Sequence, residues 1–331
     1  MRMPSDERNL AVVAKRPGTY RAVLTTSYLP YPPPPGPGEV VVRMSLSTVN
    51  PSDTVTVSGA YSRTTFPMVP GFEGVGVIAE VGDGVSEELV GKRVLPLGSA
   101  QNWQRFKIVD AEWCVPVPDS ITDEQACFAY VNPLTAWLMV ERFCASGTRN
   151  VVVTGANSTI GAHLAELLNM RGIRPFGVLR SQNRPVAEPA RWASVVHTEN
   201  QHWMLNLSRD LGFDGADIVF DCVGGLQGAE LDALLNAHGS FIHYGLASGT
   251  PLPADHFTGG RAGSLTFFRL RDVVHSIPRS ELPALMAPVF GLIADGHLGS
   301  PVGERVGLSD LVEHLEKDAG VPGKVLIDVQ R

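Results

Sequence analysis

One short segment of the sequence has the composition of a phosphate-binding turn. The strand-like run VVVTG at 151–155 is followed by the turn ANSTI at 156–160, and after Gly161 the sequence continues as the helical pattern AHLAELLNMRG. The first turn of a helix has unpaired N–H groups and the positive end of the helix dipole, so it can hold a pyrophosphate. Ser158 and Thr159 stand where glycines are common in such turns. We predict a dinucleotide site here; the alternative is a tight turn without a ligand.

The residue type at the end of the next strand indicates which dinucleotide binds. The run RPFGVL ends at Arg180, about 20 residues beyond Gly161, where NAD sites place a carboxylate on the ribose 2′-hydroxyl. An arginine at this position suits a 2′-phosphate instead. The sequence therefore predicts NADP(H), with Arg180 as the main ligand and Arg184 as a second candidate. The alternative is that Arg180 is a solvated residue at a strand end.

The composition excludes several other kinds of function. The four cysteines include no C-x-x-C pair and none has a histidine at metal-ligand spacing, so we predict neither a zinc knuckle nor a disulfide framework. The formal net charge of −7 leaves no positive field to attract nucleic acid. No apolar run approaches the roughly 20 residues of a membrane helix, and residues 1–13 lack the apolar core of a secretory peptide. We expect a cytoplasmic protein with a small-molecule substrate.

The elements that must position this turn fall into two regions of different texture. Short β-branched runs broken by Gly and Pro fill the first third of the chain, which predicts a small β-rich domain. From Asn150, apolar runs alternate with helical segments, which indicates about six parallel strands covered on both faces. The tail contains the strand-like run GKVLIDV, which can return to the first domain. We predict an α/β protein with a β-rich domain of residues 1–125 and 298–331 and a doubly wound domain of residues 126–297.

Several motifs share their order and spacing with one known family. They are Asn50-Pro51-Ser52-Asp53, Gly59-Ala60-Tyr61, Gly71-Phe72-Glu73-Gly74-Val75-Gly76, Asn132-Pro133-Leu134-Thr135-Ala136-Trp137, the turn Asn157-Ser158-Thr159-Ile160-Gly161 and Asp221-Cys222-Val223-Gly224-Gly225. With them the chain resembles the medium-chain dehydrogenase/reductase superfamily over essentially its whole length. It looks most like the zinc-free trans-2-enoyl thioester reductases. The resemblance implies a GroES-like domain beside a Rossmann domain, NADPH as cofactor and a homodimer.

The resemblance also locates the positions of metal ligands in zinc-dependent members. The zinc alcohol dehydrogenases of this superfamily have a cysteine where Asn50 or Pro51 stands and a histidine where Phe72 stands, and their four-cysteine loop is missing here. Without a thiolate or an imidazole at either position, no tetrahedral site can be built. We predict that the protein binds no zinc.

Three positions match active-site residues of the enoyl reductases, namely Tyr61, Asn50 and Trp103. A phenol with a pKa of about 10 keeps its proton at neutral pH, so Tyr61 can hydrogen-bond a developing enolate oxygen or deliver a proton. Trp103 matches a tryptophan beside the cofactor, although Gln101-Asn102 replaces the usual Gly-Thr before it. The alternatives are that Tyr61 closes a loop and that Trp103 belongs to the core.

Further positions match the family's cofactor-binding residues, with the alternative that Asn132 only caps a helix. The predicted set is Asn132, Thr135, Asn157, Ser158, Thr159, Ile160, Arg180, Cys222, Val223, Tyr244, Gly245 and Lys324. For the substrate, Phe268 and Arg269 lie where the enoyl reductases have an apolar acyl pocket with a tryptophan. A guanidinium beside an aliphatic chain is costly. Arg269 therefore indicates a short or anionic substrate, or an arginine at a dimer edge that contacts no substrate.

Together these features predict an NADPH-dependent reductase of activated carbon–carbon double bonds. An enoyl thioester is the expected substrate class, with hydride added at the β-carbon and negative charge carried by the conjugated carbonyl. One alternative is a quinone or small-enone reductase of the same superfamily, which needs no thioester pocket. Another is a protein that binds NADPH without turnover, as a sensor or a structural protein.

Overall fold

The computed structural model describes four stretches of the chain, residues 8–60, 64–257, 263–317 and 323–331. The chain divides into two compact units, which we call the first unit (Met1–Val131 with Val273–Arg331) and the second unit (Asn132–Asp272). The chain thus leaves the second unit earlier than the predicted boundary at residue 298. The reason is packing on Trp113, because the guanidinium of Arg279 lies 3.8 Å from the Trp113 ring centroid and the His275 ring lies 4.7 Å from it.

The helices and strands follow one another in a β-rich region, an alternating region and a short mixed tail. The first region holds β1 (Asn9–Ala14), α1 (Tyr20–Val23), β2 (Leu24–Leu29), β3 (Glu39–Thr48), α2 (Pro51–Val57), β4 (Gly74–Val81), β5 (Arg93–Pro96), β6 (Phe106–Asp110), β7 (Cys114–Pro116), α3 (Asp123–Cys127) and α4 (Val131–Phe143). The alternating region holds β8 (Val151–Thr154), α5 (Thr159–Met170), β9 (Phe176–Leu179), β10 (Ser194–His197), α6 (Trp203–Leu211), β11 (Ala216–Asp221), α7 (Gly225–Glu230), β12 (Leu235–His243), β13 (Ser264–Phe267) and α8 (Leu270–Ser276). The tail holds α9 (Leu282–Ala294), β14 (Val302–Gly307), α10 (Leu311–Glu316) and β15 (Lys324–Asp328). None of the helices in the described stretches is long and apolar enough to cross a membrane.

The first unit is built around β3, which pairs antiparallel with β4, β6 and β15. Its seven-stranded sheet runs β14-β15-β3-β4-β5-β7, with β6 added on β3. The buried side chains of Val40, Val42 and Met44 on β3 share one core with Val12 and Ile327. The predicted return of the tail is confirmed, because Leu326 pairs with Thr48 and thereby places the start of β15 beside the end of β3.

The second unit contains a six-stranded parallel sheet in the order β10-β9-β8-β11-β12-β13. This is the strand order of a doubly wound dinucleotide-binding fold. Its central strands are buried apolar runs, with Val152, Val178, Val219 and Phe241 in one core cluster. The prediction of an α/β fold with a β-rich domain and a doubly wound parallel sheet is confirmed. In such sheets, ligands bind at the carboxyl ends of the strands, where the order reverses between β8 and β11.

Candidate functional site

The predicted phosphate-binding turn joins the end of β8 to the start of α5. Gly155 has a φ of +60°, in the left-handed region that favours glycine. Ser158 is the N-cap of α5, and its Oγ accepts a hydrogen bond from the backbone N–H of Gly161 at 3.1 Å. Thr159 and Ile160 are the first residues of the helix, so their N–H groups lie at its open end. This end of α5 can receive a phosphate.

Two glycines of this turn allow close approaches that a larger residue would block. A Cβ atom on Gly155 would lie 2.7 Å from the Sγ of Cys222, and a Cβ atom on Gly161 would lie 2.7 Å from the carbonyl oxygen of Gly155. Both positions therefore require glycine for packing. The positions held by Ser158 and Thr159 do not, because these residues begin the helix with ordinary geometry.

Asp221, at the end of β11, holds the loops around the turn in place. Its carboxylate is fully buried, and Oδ1 accepts hydrogen bonds from the Thr154 hydroxyl at 2.9 Å and the Val223 N–H at 3.1 Å. Oδ2 accepts from the Gly224 N–H at 2.9 Å and lies 2.8 Å from Nδ1 of His243. One carboxylate thus ties together the ends of β8, β11 and β12. The sequence motif alone assigns Asp221 no role, although an acidic residue between a buried strand and two glycines is a signal that could have indicated one.

Four other predicted cofactor residues meet at this same edge of the sheet. The Tyr244 N–H donates to the carbonyl oxygen of Asp221 at 2.9 Å, and a Cβ atom on Gly245 would lie 2.9 Å from the carbonyl oxygen of Cys222. Val223 is held by Asp221, as described above. The hydroxyl of Tyr244 is buried next to the Cys222 thiol and has no nitrogen or oxygen partner within the described stretches. A bound dinucleotide fits this edge, since its phosphates can accept hydrogen bonds from the free amides at the start of α5.

Arg180 follows β9 directly and is exposed. The side-chain amide of Asn157 donates to the carbonyl oxygen of Arg184 at 2.9 Å, which ties the loop after β9 to the phosphate-binding turn. Arg180 and Arg184 thus belong to a loop that starts beside the turn. The end of β9 carries no carboxylate, so the charge at this edge suits a 2′-phosphate.

Three further predicted cofactor residues belong to other elements. Asn132 is the second residue of α4, which begins at Val131. Thr135 lies one turn further along α4 and is buried. Lys324 belongs to the first unit, and its ammonium group points into that unit.

In the first unit, four polar side chains form a buried cluster around the start of α2, namely Asn50, Asp53, Glu73 and Lys324. The Asn50 carboxamide donates through Nδ2 to Oε2 of Glu73 at 2.8 Å and accepts at Oδ1 from the Lys324 ammonium. Asp53 accepts from the backbone N–H groups of Asn50 at 2.8 Å and Phe72 at 3.1 Å. Both ends of the Asn50 carboxamide are therefore engaged inside the unit, which makes Asn50 a positioning residue in this geometry.

Burial dominates the electrostatics of this cluster. It raises the pKa of Asp53 to about 7, although two backbone N–H donors and the Lys324 charge act in the opposite direction. Burial also raises the pKa of Glu73, whose Oε1 accepts from the N–H groups of Tyr130 at 2.9 Å and Val131 at 2.7 Å. The pKa of Lys324 is lowered by the same desolvation. The sequence predicts no role for Asp53 or Glu73, because their burial depends on contacts distant in sequence.

Trp103 is entirely buried in the first unit. Its indole N–H donates to the carbonyl oxygen of Thr48 at 3.0 Å, and its ring packs edge-on against Tyr20. Gly71 lies so close that a Cβ atom there would be 2.4 Å from the indole ring. This environment favours the interpretation of Trp103 as a core residue over contact with a substrate.

The three remaining predicted site residues have different outcomes. Tyr61 lies outside the described residues. Phe268 is buried and packs edge-on against Phe143, with ring centroids 6.3 Å apart. Arg269 is exposed, and its Nε lies 2.8 Å from a carboxylate oxygen of Asp272. The guanidinium stays in water and is paired with Asp272. The cost of burying a charge beside an aliphatic chain therefore does not arise in this geometry.

The described stretches contain no group of three or more His, Cys, Asp or Glu side chains that could hold a metal ion. The resemblance places ligands of zinc-dependent members at Asn50 or Pro51 and at Phe72, and none of these three residues offers a thiolate or an imidazole. The Lys324 ammonium contacts the Asn50 carboxamide. The donor set therefore does not fit zinc.

Comparisons with known proteins match both regions of the chain. The model for the alcohol dehydrogenase GroES-like domain matches residues 36–119, and the model for zinc-binding dehydrogenases matches residues 193–327. The rat synaptic vesicle membrane protein VAT-1 homolog is 29% identical over 302 residues, which are 90% of this chain and 72% of that protein. A mitochondrial enoyl-[acyl-carrier-protein] reductase of Arabidopsis thaliana is 31% identical over 224 residues, 65% of this chain and 59% of that protein. The chain spans 59% of the human VAT-1 homolog.

Solved structures of related proteins have a similar fold along nearly the whole chain. A Bacillus thuringiensis protein, solved as a candidate NADPH:quinone reductase, has a TM-score of 0.88 at 28% identity and covers 98% of this chain and 99% of its own. A mycobacterial protein solved in complex with NADPH has a TM-score of 0.83 at 25% identity and covers 96% of this chain and 99% of its own. The chain matches the zinc-binding dehydrogenase model, but its described stretches contain no group of side chains that could hold a metal ion.

The raised pKa of Asp53 predicts a pH-dependent stability. Its pKa of about 7 in the folded chain lies above the roughly 4 of an unfolded aspartate, so the folded state holds a proton that the unfolded state releases. Stability should therefore fall as the pH rises from about 4 to about 7. Asp53→Asn is expected to lower the melting temperature overall and to reduce this fall, measured by thermal unfolding between pH 5 and pH 8. Asp83→Asn, at an exposed carboxylate of the same unit, is the control; an equal pH slope in all three proteins would contradict the assignment.

Proposed function

The chain belongs to the medium-chain dehydrogenase/reductase superfamily, and from this premise we propose that it reduces carbon–carbon double bonds conjugated to a carbonyl group, with NADPH as reductant. The observation that carries the proposal is a phosphate-binding turn followed by an arginine at the end of β9, in a chain whose described residues offer no metal site. A bound NADPH would supply a hydride, and hydrogen-bond donors of the chain could stabilise the charge that develops on the carbonyl oxygen. Reduction of a polarised double bond is a reaction that a bound hydride donor can carry out.

NADPH fits the edge of the second unit formed by the turn and the neighbouring loops. The N–H groups at the start of α5 would hold its pyrophosphate, and Arg180 would pair with its 2′-phosphate. When bound, the cofactor supplies the hydride that reaches the β-carbon of the substrate.

The substrate that we propose is a 2-enoyl thioester, and Tyr61 is the residue proposed to act on it. Hydride addition at the β-carbon moves negative charge to the carbonyl oxygen, which a neutral phenol can stabilise by donating a hydrogen bond. The same phenol can pass its proton to the α-carbon and regain one from water. The likeness to mitochondrial enoyl-[acyl-carrier-protein] reductases, at 29% and 31% identity, supports this substrate class.

A quinone or a small enone is the second candidate substrate. The likeness to the Bacillus thuringiensis structure, at 28% identity and along 98% of this chain, supports it. The exposed, paired Arg269 and the buried Phe268 also give no sign of an acyl pocket in the second unit. Such a substrate needs no thioester site.

We further propose that the chain forms a homodimer through β13. This strand lies at the edge of the six-stranded sheet, and Phe257 and Phe267, which stack at 6.0 Å, are 51% and 56% exposed. An open edge beside exposed aromatic rings invites pairing with another strand. The same edge of a second copy would pair with the open strand and cover the exposed aromatic rings. Light scattering of the purified chain measures the mass, which should be that of a dimer.

The substrate class is tested by an NADPH-oxidation panel. Crotonyl-CoA, a long-chain 2-enoyl-CoA, a simple enone and a quinone are compared as acceptors by absorbance at the NADPH band. We expect the highest kcat/KM with an enoyl-CoA. A preference for the quinone would replace the first substrate with the second. Tight NADPH binding without oxidation of any acceptor would indicate a binding protein without turnover.

Arg180→Leu tests the choice of cofactor. Loss of charge-assisted hydrogen bonds to the 2′-phosphate should weaken NADPH binding by about 10- to 100-fold and leave NADH binding nearly unchanged. Fluorescence titration of both dinucleotides measures the two dissociation constants. Arg209→Leu removes an equally exposed charge on α6 and is the matched control. NADH binding as tight as NADPH binding in the unmodified chain would refute the prediction.

Tyr61→Phe tests the proposed catalytic tyrosine. Removal of the hydroxyl should slow reduction of the best enoyl substrate by roughly two to four powers of ten, the usual range for a lost general acid or stabilising donor. Folding and the dissociation constant for NADPH should stay the same. Tyr28→Phe, which removes a hydroxyl from an exposed tyrosine, is the control. A kcat/KM close to that of the unmodified chain would show that Tyr61 is structural.

A further inference from the structure

The ammonium group of Lys324 lies inside the first unit, although the residue begins the last strand of the chain. Its side chain is 8% exposed, and Nζ donates to the Asn50 carboxamide and to the carbonyl oxygen of Val49 at 3.4 Å. The pairing of β15 with β3 fixes this position, because the Thr48 hydroxyl also donates to the carbonyl oxygen of Val325 at 2.7 Å. Lys324 is thus directed to the start of α2.

The Lys324 ammonium brings a positive charge to the buried cluster of Asn50, Asp53, Glu73 and Lys324. Asp53 and Glu73 are 0% and 1% exposed, and the charge of Lys324 acts on both carboxyl groups. A buried carboxylate is tolerated only when it is paired and hydrogen-bonded. Asn50 connects the two charges, since one end of its carboxamide accepts from Lys324 and the other donates to Glu73. The orientation of that carboxamide therefore depends on both neighbours.

From this geometry we infer that Lys324 is the resident cation of the first unit and a positioning residue, which neutralises Glu73 and orients Asn50, rather than a ligand of the cofactor. A protein that matches a zinc-binding family model, and whose described residues offer no metal-binding group, thereby keeps a positive charge at this place through its own side chain. The inference does not depend on which acceptor is reduced. A negative acceptor panel would leave it intact.

The contacts of Lys324 also bear on helix α2, which follows Asn50 in the chain. Asn50 is the N-cap of α2, and its backbone N–H is held by Asp53 in the first turn. Glu73 accepts from the N–H groups of Tyr130 and Val131. Lys324 thereby anchors the start of the helix that leads to the segment Gly59-Ala60-Tyr61, a consequence that does rest on the proposed role of Tyr61.

Charge compensation between Lys324 and Glu73 is the test. Lys324→Met leaves an uncompensated buried carboxylate and should raise the unfolding equilibrium constant on the order of 100-fold, measured by urea denaturation. Adding Glu73→Gln should recover most of that loss. The glutamine oxygen can still accept the two N–H groups, and the Asn50 carboxamide can rotate to pair with its amide. The dissociation constant for NADPH should stay within about twofold in both variants.

Lys107 provides the matched control. It is also fully buried, but Nζ donates to neutral oxygens, those of Pro96 at 3.1 Å, Ser99 at 3.2 Å and the Asn102 side chain at 3.1 Å. Lys107→Met should destabilise the fold, and Glu73→Gln should give no recovery in that background. Recovery limited to the Lys324 background separates charge pairing from the general cost of losing a buried lysine.

Two results would overturn the inference. A tenfold weaker NADPH affinity in Lys324→Met, with an unchanged urea midpoint, would make Lys324 a cofactor ligand. No recovery by Glu73→Gln would reduce the role of Lys324 to packing. If Lys324→Met does not fold, the double variant still decides the question. A folded double variant supports charge pairing, and an unfolded one contradicts it.

Discussion

A carboxylate removed from water needs hydrogen-bond donors, and this requirement determines how each unit of the protein is tied together. Asp221 in the second unit accepts from a hydroxyl and two backbone N–H groups and contacts an imidazole. Glu73 in the first unit accepts from two backbone N–H groups and a carboxamide. All three donors to Glu73 come from segments distant in sequence. Around Asp221, Thr154 and His243 are distant in sequence, whereas the Val223 and Gly224 N–H groups lie two and three residues further along the chain. The buried charge therefore fixes loops that hydrophobic packing alone would leave free to move.

The two carboxylates differ in what they hold, and so in what they contribute to function. Asp221 holds the loops beside the phosphate-binding turn and keeps Thr154, Val223 and Gly224 in fixed positions around it. Glu73 and Asp53 hold the two ends of the segment that runs from α2 to the glycine-rich start of β4. The loops beside the phosphate-binding turn and the described ends of the segment between α2 and β4 thus have separate structural supports.

The buried carboxyl groups of the first unit also need a positive charge close to them, and the inferred role of Lys324 is to provide it. A divalent ion neutralises buried anionic groups and at the same time fixes their geometry. An ammonium on a strand end can do both when the strand is held by its neighbours, as β15 is held by β3 and β14.

The sequence by itself determined the fold class, the six parallel strands and the strand, turn and helix on which the dinucleotide prediction rests, because these depend on local periodicity and residue type. Only the tertiary structure decided that Trp103 is core, that Arg269 is solvated and paired, and that Lys324 points to Asn50 rather than away from the unit. It also revealed Asp53, Glu73 and Asp221 as structural centres. Burial and pairing arise from contacts between residues far apart in the chain, as between Asn50 and Lys324, and a local pattern does not encode them.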